Sequence, residues 1–415
     1  MEPLTRPQRT SFLIGSIASI LYFSEGLPFG IVTDLLPLYL RVEHVQLISI
    51  GFLSTVGSAW TLKVFWSPLI DTIGSYRRWI SAAVLTMAVA MATLAALHGA
   101  LGRNFWILIT VLALASATQD LAVDAFTIRA TPATMVGPVN SIRVMAYRIA
   151  IIVGGGGLAA LADRVGWPGT FAVAAALLSV IFVITLFLPD DRGSSTTDTG
   201  RPSLIEGLRD WMARPRAGTL LAIVFLYRLG ELAIVSMIKP YWVDRGYSPS
   251  EIGTITTVIG VSVSVAGAIA GGAFVARFGL YQSLLWLGVA QITSNLGYAV
   301  VATIGAGRWG IYVAAILENF GYGLGTAAFL AFLMSICDRT RAATEYAMLT
   351  AAFGLSRMVM GTASGFIAQN AGYAAYFWLT VVLGIPGLLL VLFVREQLQP
   401  RALPMADQPA LGEAI

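Results

Sequence analysis

The 415-residue sequence contains few charged residues, and this scarcity limits what the protein can be. Only 12% of its residues are charged and 57% are hydrophobic, whereas a soluble domain carries about 25% charged residues. A water-soluble fold could not bury this much apolar surface. The apolar residues occur in runs of about 20 or more, long enough to cross roughly 30 Å of hydrocarbon as helices. The composition therefore predicts an all-α integral membrane protein.

The sequence also lacks the groups that several other functions require. It has one cysteine, Cys337, and two histidines, so it has neither an intramolecular disulfide nor a Cys/His cluster for a metal. It contains no HExxH, GxSxG or Walker A motif, which argues against a membrane-bound enzyme and against a primary pump. Its net charge of +4 comes from arginines in loops, not from a basic stripe with interleaved aromatics. We expect no metal, no cofactor and no nucleic-acid partner.

Apolar segments divide six and six around a polar break, which predicts twelve transmembrane helices in two pseudo-repeated six-helix bundles. The predicted segments are 12–40, 46–70, 79–98, 105–128, 138–162, 169–189, 217–243, 250–275, 280–304, 309–336, 343–369 and 373–394. They form an N-terminal bundle at 1–189 and a C-terminal bundle at 217–394. A cytoplasmic linker with a short amphipathic helix is predicted at 190–216, and a cytoplasmic tail at 395–415.

The distribution of arginines predicts the orientation of the helices. Alternate loops, together with both termini and the linker, hold most of the arginines, and the positive-inside rule places such loops in the cytoplasm. We therefore predict an N-in, C-in topology. The two halves also resemble each other: Tyr22 with Glu25 corresponds to Tyr227 with Glu231, about 205 residues later. Parallel repeats of this kind are typical of secondary transporters.

Charged and polar side chains inside the apolar segments are the candidate functional residues. A charge at mid-bilayer costs at least about 2.5–3.5 kcal/mol, so it is retained only where it faces protein or water. The candidates for proton coupling are Asp120, Asp124, Glu25 and Glu231. The candidates for substrate binding are Gln119, Asn140, Arg148, Arg143, Lys63, Arg228, Glu318, Asn319, Glu345 and Arg357. Together they predict a polar cavity between helices.

Asp120 and Asp124 are the strongest candidates for proton coupling. Their i,i+4 spacing places both carboxylates on one face of a helix. Two carboxylates that lie close together in a low-dielectric environment resist joint ionisation, so one of them can take up and release a proton. Alternatively, they are fixed partners of Arg143 or Arg148 that hold a helix interface together. Both interpretations stay open from the sequence.

The other charged candidates carry their own alternatives. Arg143 and Arg148 are five residues apart, about 140° around a helix, so we expect at most one of them to contact substrate. Arg228 and Glu231 are spaced i,i+3 and could simply pair with each other.

Glu25 and the two lysines of the chain lead to two further expectations. Glu25 lies beside Gly26 and Pro28, where we expect the first span to break and to expose backbone groups to a cavity. Lys63 is the deeper lysine and the better ligand candidate, whereas Lys239 is expected to extend to the outer interface.

Several segments carry a more specific resemblance. They are YFSEGLPFG at 22–30, GFLSTVGSAWTLKVFWSPLID at 51–71, SATQDLAVDAF at 116–126, AYRIAIIVGGG at 146–156 and ENFGYGLGTAAFLAFLMSICDRTRAATEYAMLTA at 318–351. Together they resemble the AmpG-type muropeptide permeases, in the peptide/acetyl-CoA transporter branch of the major facilitator superfamily. Asp71, Gly74, Arg77 and Arg78 resemble the cytoplasmic gate motif of that superfamily. The run Gly154, Gly155, Gly156 and Gly157 favours close helix packing, with a role in bending as the alternative.

The resemblance implies a function. It implies import of cell-wall-derived anhydro-muropeptides from periplasm to cytoplasm by alternating access, driven by the proton gradient without a cofactor. It further implies that Gln119, Asp120, Asp124 and Arg148 line the path. The same branch includes siderophore importers of the RhtX/FptX type and acyl-CoA-type carriers. The cargo could therefore be an amino-sugar peptide or a siderophore. We expect a monomeric, multi-pass protein of the cell inner membrane whose partners are the solute and the lipid bilayer.

Overall fold

Helices make up the fold. The computed structural model describes residues 6–97, 101–131, 136–189, 209, 211–337 and 342–398, and these contain no strand. The helices of the first half are α1 (Arg6–Gly30), α2 (Leu36–Val42), α3 (Leu47–Gly51), α4 (Leu53–Val56), α5 (Ala59–Leu62), α6 (Ser67–Thr72), α7 (Tyr76–Ala96), α8 (Arg103–Ala130), α9 (Val136–Ile151) and α10 (Leu158–Thr185). Those of the second half are α11 (Ala217–Leu226), α12 (Leu229–Asp244), α13 (Pro249–Ile252), α14 (Gly260–Phe278), α15 (Leu280–Ile304), α16 (Arg308–Ser335), α17 (Ala342–Val391) and α18 (Arg395–Leu398).

Nine stretches of the described residues are long and apolar enough to cross a membrane. Two of them, Ile142–Thr185 and Met348–Val394, have 44 and 47 residues, about twice what one crossing requires. Each contains a glycine in a left-handed conformation, Gly166 at φ 69° and Gly372 at φ 77°, which other residues rarely adopt. Each stretch is therefore two helices joined at that glycine. A shorter apolar stretch covers Leu47–Leu62.

The segment predicted as one continuous span at 46–70 is instead a chain of short helices, α3 to α6, with a 3₁₀ turn at Lys63–Phe65. Tighter i→i−3 bonds interrupt it, such as Ser58 N to Thr55 O at 3.1 Å. The Ser58 hydroxyl also donates to the Thr55 carbonyl at 2.6 Å, which competes with regular helical bonding. The predicted segment is therefore an interrupted helix, and its crossing of the membrane stays a prediction.

The first span also differs from expectation, because α1 runs without a break through Glu25 and Pro28 to Gly30. The irregularity follows as a π-helical turn at Ile31–Leu35. Proline removes a backbone donor and crowds the preceding turn, and here the helix stays continuous and widens in the turn that follows. The predicted break at Glu25 is therefore wrong.

Three π-helical turns, Ile31–Leu35, Ile152–Gly157 and Gly253–Ile259, lie close together, and the second of them contacts both of the others. Glycines permit this approach, since a Cβ on Gly156 would lie 2.6 Å from the Gly253 carbonyl oxygen. A Cβ on Gly155 would lie 2.6 Å from the Asp34 Cβ. The glycine run thus packs the fifth span against the first span and against the second half of the chain. Turns of this type recur at functional sites.

Hydrogen bonds and ion pairs join the two halves of the chain at one end of the bundle, the sealed end, where α2 and α12 end. Arg41 pairs with Asp244 at 2.5 Å, and the Tyr373 hydroxyl donates to Asp244 at 2.7 Å. The Ser250 backbone N–H donates to Asp163 at 3.0 Å. At the opposite end, no hydrogen bond or ion pair between described residues joins the halves.

Candidate functional site

Four spans bring five charged residues together, named here the N-terminal cluster: Glu25, Lys63, Asp120, Asp124 and Arg143. The Lys63 Nζ lies 3.3 Å from an Asp120 carboxylate oxygen, Oδ2. An Arg143 guanidinium nitrogen lies 3.2 Å from the Asp124 Oδ1. The two acids of the i,i+4 pair therefore have different basic partners, on the second and fifth spans.

The two ion pairs of the N-terminal cluster differ in burial and support. The Asp124 side chain is 33% exposed and that of Arg143 41%, whereas the Asp120 side chain is 6% exposed. The Tyr22 hydroxyl donates to Asp124 at 2.9 Å, and the Arg143 guanidinium lies 4.6 Å from the centre of the Tyr22 ring, a cation–π contact. Asp124 is thus partly exposed and contacts Tyr22 and Arg143, whereas Asp120 is buried and contacts Lys63.

Glu25 is the least satisfied acid of the cluster. It is 7% exposed, has no ion-pair partner among the described residues, and its Oε2 forms no hydrogen bond. Of the acidic charges that act on it, those of Asp120 and Asp124 are the strongest, and the Asp120 Oδ1 also has no partner. The Gln119 amide donates to the Ser24 hydroxyl, beside Glu25. Two buried carboxylate oxygens are therefore available to a proton or a ligand.

A second group in the other half, named here the C-terminal cluster, comprises Arg228, Glu231, Gln291 and Glu318. Arg228 Nε donates to the Glu231 Oε2 at 2.5 Å, and the Gln291 amide donates to the same oxygen. The paired side chains are 4% and 3% exposed, and the guanidinium lies 4.9 Å from the centre of the Tyr322 ring. The i,i+3 pair proposed from the sequence forms, and protein encloses it.

Glu318 is buried, at 3% exposure, and is the unpaired acid of the C-terminal cluster. The Asn319 amide donates to it at 3.1 Å and also to the Ala315 carbonyl at 2.9 Å. The charges that act on Glu318 are those of Glu231 and Arg228. Asn319 therefore supports this acid on its own helix.

Glu345 lies apart from both clusters. It falls in the first turn of α17 and pairs with Arg214, whose second guanidinium nitrogen lies 3.0 Å from it. Arg214 also donates to the Ile336 carbonyl at 3.2 Å. The contacts fasten the chain before α11 to the ends of α16 and α17, which favours a structural role for Glu345 over contact with substrate.

Arg148 and Arg357 have no ion-pair or hydrogen-bond partner among the described residues. Arg148 is half-buried and Arg357 exposed, and the Arg357 guanidinium lies 5.6 Å from the centre of the Phe353 ring. The Arg357 charge acts on Tyr147 in one half and on Glu231 in the other. Two cations are thus free to bind an anion. Asn140 lies in α9, and its side chain is outside the described residues.

The predicted gate motif lies at the end opposite the sealed end. Gly74 adopts φ +78°, which turns the chain between α6 and α7. Arg77 donates to the Leu188 carbonyl at 3.1 Å, and Arg78 is exposed. The Asp71 side chain lies outside the described residues. The loop is therefore tied to the chain beyond α10, and its gating role stays a prediction.

The sequence predicted that Lys239 extends to the outer interface, and this is wrong. Lys239 is 9% exposed and pairs with Asp34 of the first span. Sequence reasoning missed Asp34. A signal was available, since Asp34 and Lys239 are separated by the same 205 residues as Tyr22 and Tyr227. The two residues occupy equivalent positions of the repeat.

Three aromatic side chains form a further group in the first half. The Phe29 ring lies 5.3 Å from the Trp60 ring, edge to face, and 6.0 Å from the Tyr147 ring. All three are half-buried, and Tyr147 also feels the charges of Asp120 and Arg357. They form an apolar surface beside the charged residues of both halves.

Comparisons with known proteins agree with this architecture. The family profile described as Major Facilitator Superfamily matches residues 18–344 and 220–412. The anhydromuropeptide permease of Escherichia coli (strain K12) is 32% identical over 393 residues, which cover 92% of this chain and 80% of the permease. The nucleoside transporter NupG superposes with a TM-score of 0.74 at 16% identity, covering 94% of this chain and 100% of that chain. The xylose transporter XylE from E. coli gives 0.69 at 11% identity, covering 92% and 96%.

The helical fold, the apolar stretches and these relatives define a membrane transporter, not an enzyme. The chain belongs to the major facilitator superfamily and, within it, to the AmpG type of permease. The resemblance stated from the sequence is thereby confirmed, as is a multi-pass location in the inner membrane. The twelve-span count, the N-in, C-in topology and the roles of the site residues stay predictions.

Proposed function

We propose that this chain is a proton-coupled secondary transporter that imports anhydro-muropeptides from the periplasm to the cytoplasm. The cargo follows from the E. coli relative, which is named an anhydromuropeptide permease. Coupling rests on the N-terminal cluster, whose three acids face two bases, so that one carboxylate lacks a cation. A buried, unpaired charge is costly, whereas the protonated acid is neutral. Protonation of one carboxylate of the cluster would therefore be favourable.

Glu25 and Asp120 are the proton carriers in this proposal. Asp124 is occupied by Tyr22 and Arg143, whereas Glu25 and Asp120 each keep one oxygen without a partner. Protonation of Asp120 would also release Lys63, its ion-pair partner. The loss of the buried Lys63–Asp120 pair would therefore couple protonation to the packing of the first, second and fourth spans.

The cargo would bind between the halves. Arg148 and Arg357 would pair with carboxylates of the peptide part, because an arginine without a protein partner suits an anionic ligand. The rings of Phe29, Trp60 and Tyr147 would contact the apolar faces of the amino sugars. Ligand sites commonly combine such aromatic surfaces with a few placed polar groups. The relative's cargo favours a muropeptide over a siderophore or an acyl-CoA.

The proposed topology has twelve crossings with both termini in the cytoplasm. Two of the nine apolar stretches contain two helices each, and the segment from Leu47 to Thr72 supplies the last crossing. With the arginine-rich loops in the cytoplasm, the sealed end would lie at the periplasm and the opposite end at the cytoplasm. The protein would work as a monomer without a cofactor, on the energy of the proton gradient.

Uptake into proteoliposomes tests the proposal. Labelled N-acetylglucosamine–anhydro-muramyl peptide should accumulate against its gradient when the outside is acidic, and a protonophore should abolish the accumulation. An iron–siderophore complex and an acyl-CoA, assayed alongside, should not accumulate. Muropeptide uptake that ignores the proton gradient would contradict the coupling. Uptake of the iron complex without uptake of the muropeptide would contradict the cargo.

A further inference from the structure

One buried ion pair joins the halves of the protein at the sealed end. The Lys239 ammonium contacts the Asp34 carboxylate, and the side chains are 11% and 21% exposed. Within the described part of the chain, neither has another hydrogen-bond or ion-pair partner. Gly155 leaves the space that the Asp34 carboxylate fills, since a Cβ there would lie 2.8 Å from its Oδ2. The pair is thus built into the seam between the halves.

The pair lies at equivalent positions of the internal repeat. Asp34 and Lys239 are 205 residues apart, the separation of Tyr22 and Tyr227. Because these equivalent residues contact each other, both lie beside the axis that relates the two repeats. Residues of like charge would repel each other at that point. Because one repeat has an acid at this position and the other has a base, the two residues attract each other.

A second ion pair at the sealed end lies closer to the ends of α2 and α12 and has the opposite polarity. Here the first half supplies the base, Arg41, and the second half supplies the acid, Asp244, with Tyr373 on the same carboxylate. The inner and outer pairs are separated by seven residues on the first span and five on α12, which is about 7–10 Å at 1.5 Å per residue. If the halves slid by that distance, Asp34 would approach Asp244. Two acids would then face each other and repel. Because the two pairs have opposite charge order, only one alignment of the halves brings acid and base together at both pairs.

We propose that Asp34 and Lys239 form a charge latch, which holds the sealed end closed in a single register and must separate before cargo can enter there. The inference rests on the proposed alternating access. Separation leaves two charges without partners in a half-buried seam, and removal of one partner of such a pair is more disruptive than removal of both. The latch therefore favours closure at this end until water, a proton or cargo replaces the lost partner.

Cross-linking of the seam measures closure directly. The Thr55 and Thr362 hydroxyls lie 2.9 Å apart across the halves, so cysteines at both positions should form a disulfide when the sealed end is closed. Cys337 is first replaced by serine, which leaves these two as the thiols of the chain. Copper phenanthroline serves as the oxidant, with purified full-length protein in detergent. The cross-linked fraction reports the ratio of closed to open molecules.

Single neutral substitutions should open the seam. We expect Asp34→Asn and Lys239→Met each to lower the ratio of closed to open molecules about tenfold, equivalent to about 1.4 kcal/mol. The double variant should be milder than either single variant, because it leaves no unpaired charge. The swap Asp34→Lys with Lys239→Asp should restore cross-linking. Arg308→Gln serves as the control, since its ion pair with Glu251 lies within one half.

Two results would overturn the latch. One is cross-linking in both single variants at the level of the Arg308→Gln control. The other is a double neutral variant whose effect equals the sum of the two single effects. The cycle of neutral variants decides the matter even if the swapped protein does not fold. The assay contains neither cargo nor a proton gradient, so failure of the latch is distinguishable from failure of the proposed transport.

Discussion

The two halves of the repeat hold their buried charges in different ways. In the C-terminal cluster, Arg228 and Glu231 are 4% and 3% exposed, and Gln291 donates to the shared carboxylate oxygen. In the N-terminal cluster, Lys63 is 26% and Arg143 41% exposed. The Arg228 and Glu231 pair is enclosed, although the Gln291 Oε1 beside it has no partner. Glu25 and Asp120, by contrast, each keep a carboxylate oxygen without a partner. A paired acid stabilises one structure, whereas an acid with an unpaired oxygen can exchange partners.

The difference divides the work between the halves. Glu25 and Glu231 occupy nearly the same place in the repeat, but only Glu231 has an arginine one turn before it on the same helix. Because Arg228 pairs with Glu231, this acid has a structural role. We therefore infer that Glu25 and Asp120 of the first half carry the proton, whereas Glu231 of the second half, which is paired with Arg228, has a structural role.

The largest effect is expected from Arg228→Met. It leaves Glu231 buried without its cation, and breaking a buried pair in this way costs about 3–5 kcal/mol. Thermal unfolding in detergent should show a strongly lowered midpoint, and Arg228→Met with Glu231→Leu should recover much of it. A single variant that unfolds like the parent protein would show that the C-terminal pair is not structural.

Glu25→Gln should act on transport instead of stability. The amide keeps the size of the acid but cannot carry a proton, and it removes a carboxylate that has no cation. We expect gradient-driven accumulation to fall at least about tenfold, the scale of one proton-linked step of 1.4 kcal/mol, with exchange of labelled for unlabelled cargo retained. The thermal midpoint should stay within a few degrees. Accumulation equal to that of the parent would remove Glu25 from the coupling.

Arg143→Gln should have the smallest effect of the three. Its pair with Asp124 is about one-third exposed on each side, and such pairs contribute about 0.2–1 kcal/mol. We expect uptake to fall by less than about fivefold, because Tyr22 continues to bind Asp124. Initial uptake rates at several cargo concentrations measure this. A loss as large as that of Glu25→Gln would place Arg143 in the transport step itself.

Sequence reasoning succeeded where the geometry is local. The i,i+3 spacing of Arg228 and Glu231 predicts their contact, since one helix sets it. For Asp124 the sequence offered Arg143 or Arg148 as a partner, and the pair with Arg143 forms. The partner of Asp120 could not be predicted, because it depends on the relative rotation of the helices. Asp120 pairs with Lys63 of the second span, which the sequence left without a partner.

Irregular backbone was the other gap. The sequence placed a break at Glu25 and offered a bending role for the glycine run, whereas the π-helical turns begin after Gly30 and Ile151. The two turns contact each other, and no single segment encodes that contact. The Asp34 and Lys239 pair lay within reach of the sequence, but only through the offset of the repeat.

The contact between Gly156 and Gly253 has a kinetic consequence. A Cβ on either residue would lie within 2.7 Å of the other's carbonyl oxygen, so the two main chains meet there without side chains between them. Rotation of one half against the other about this point uncovers little apolar surface. The two glycines would then act as a pivot, and a larger residue at Gly156 should slow the exchange between conformations more than it shifts their populations.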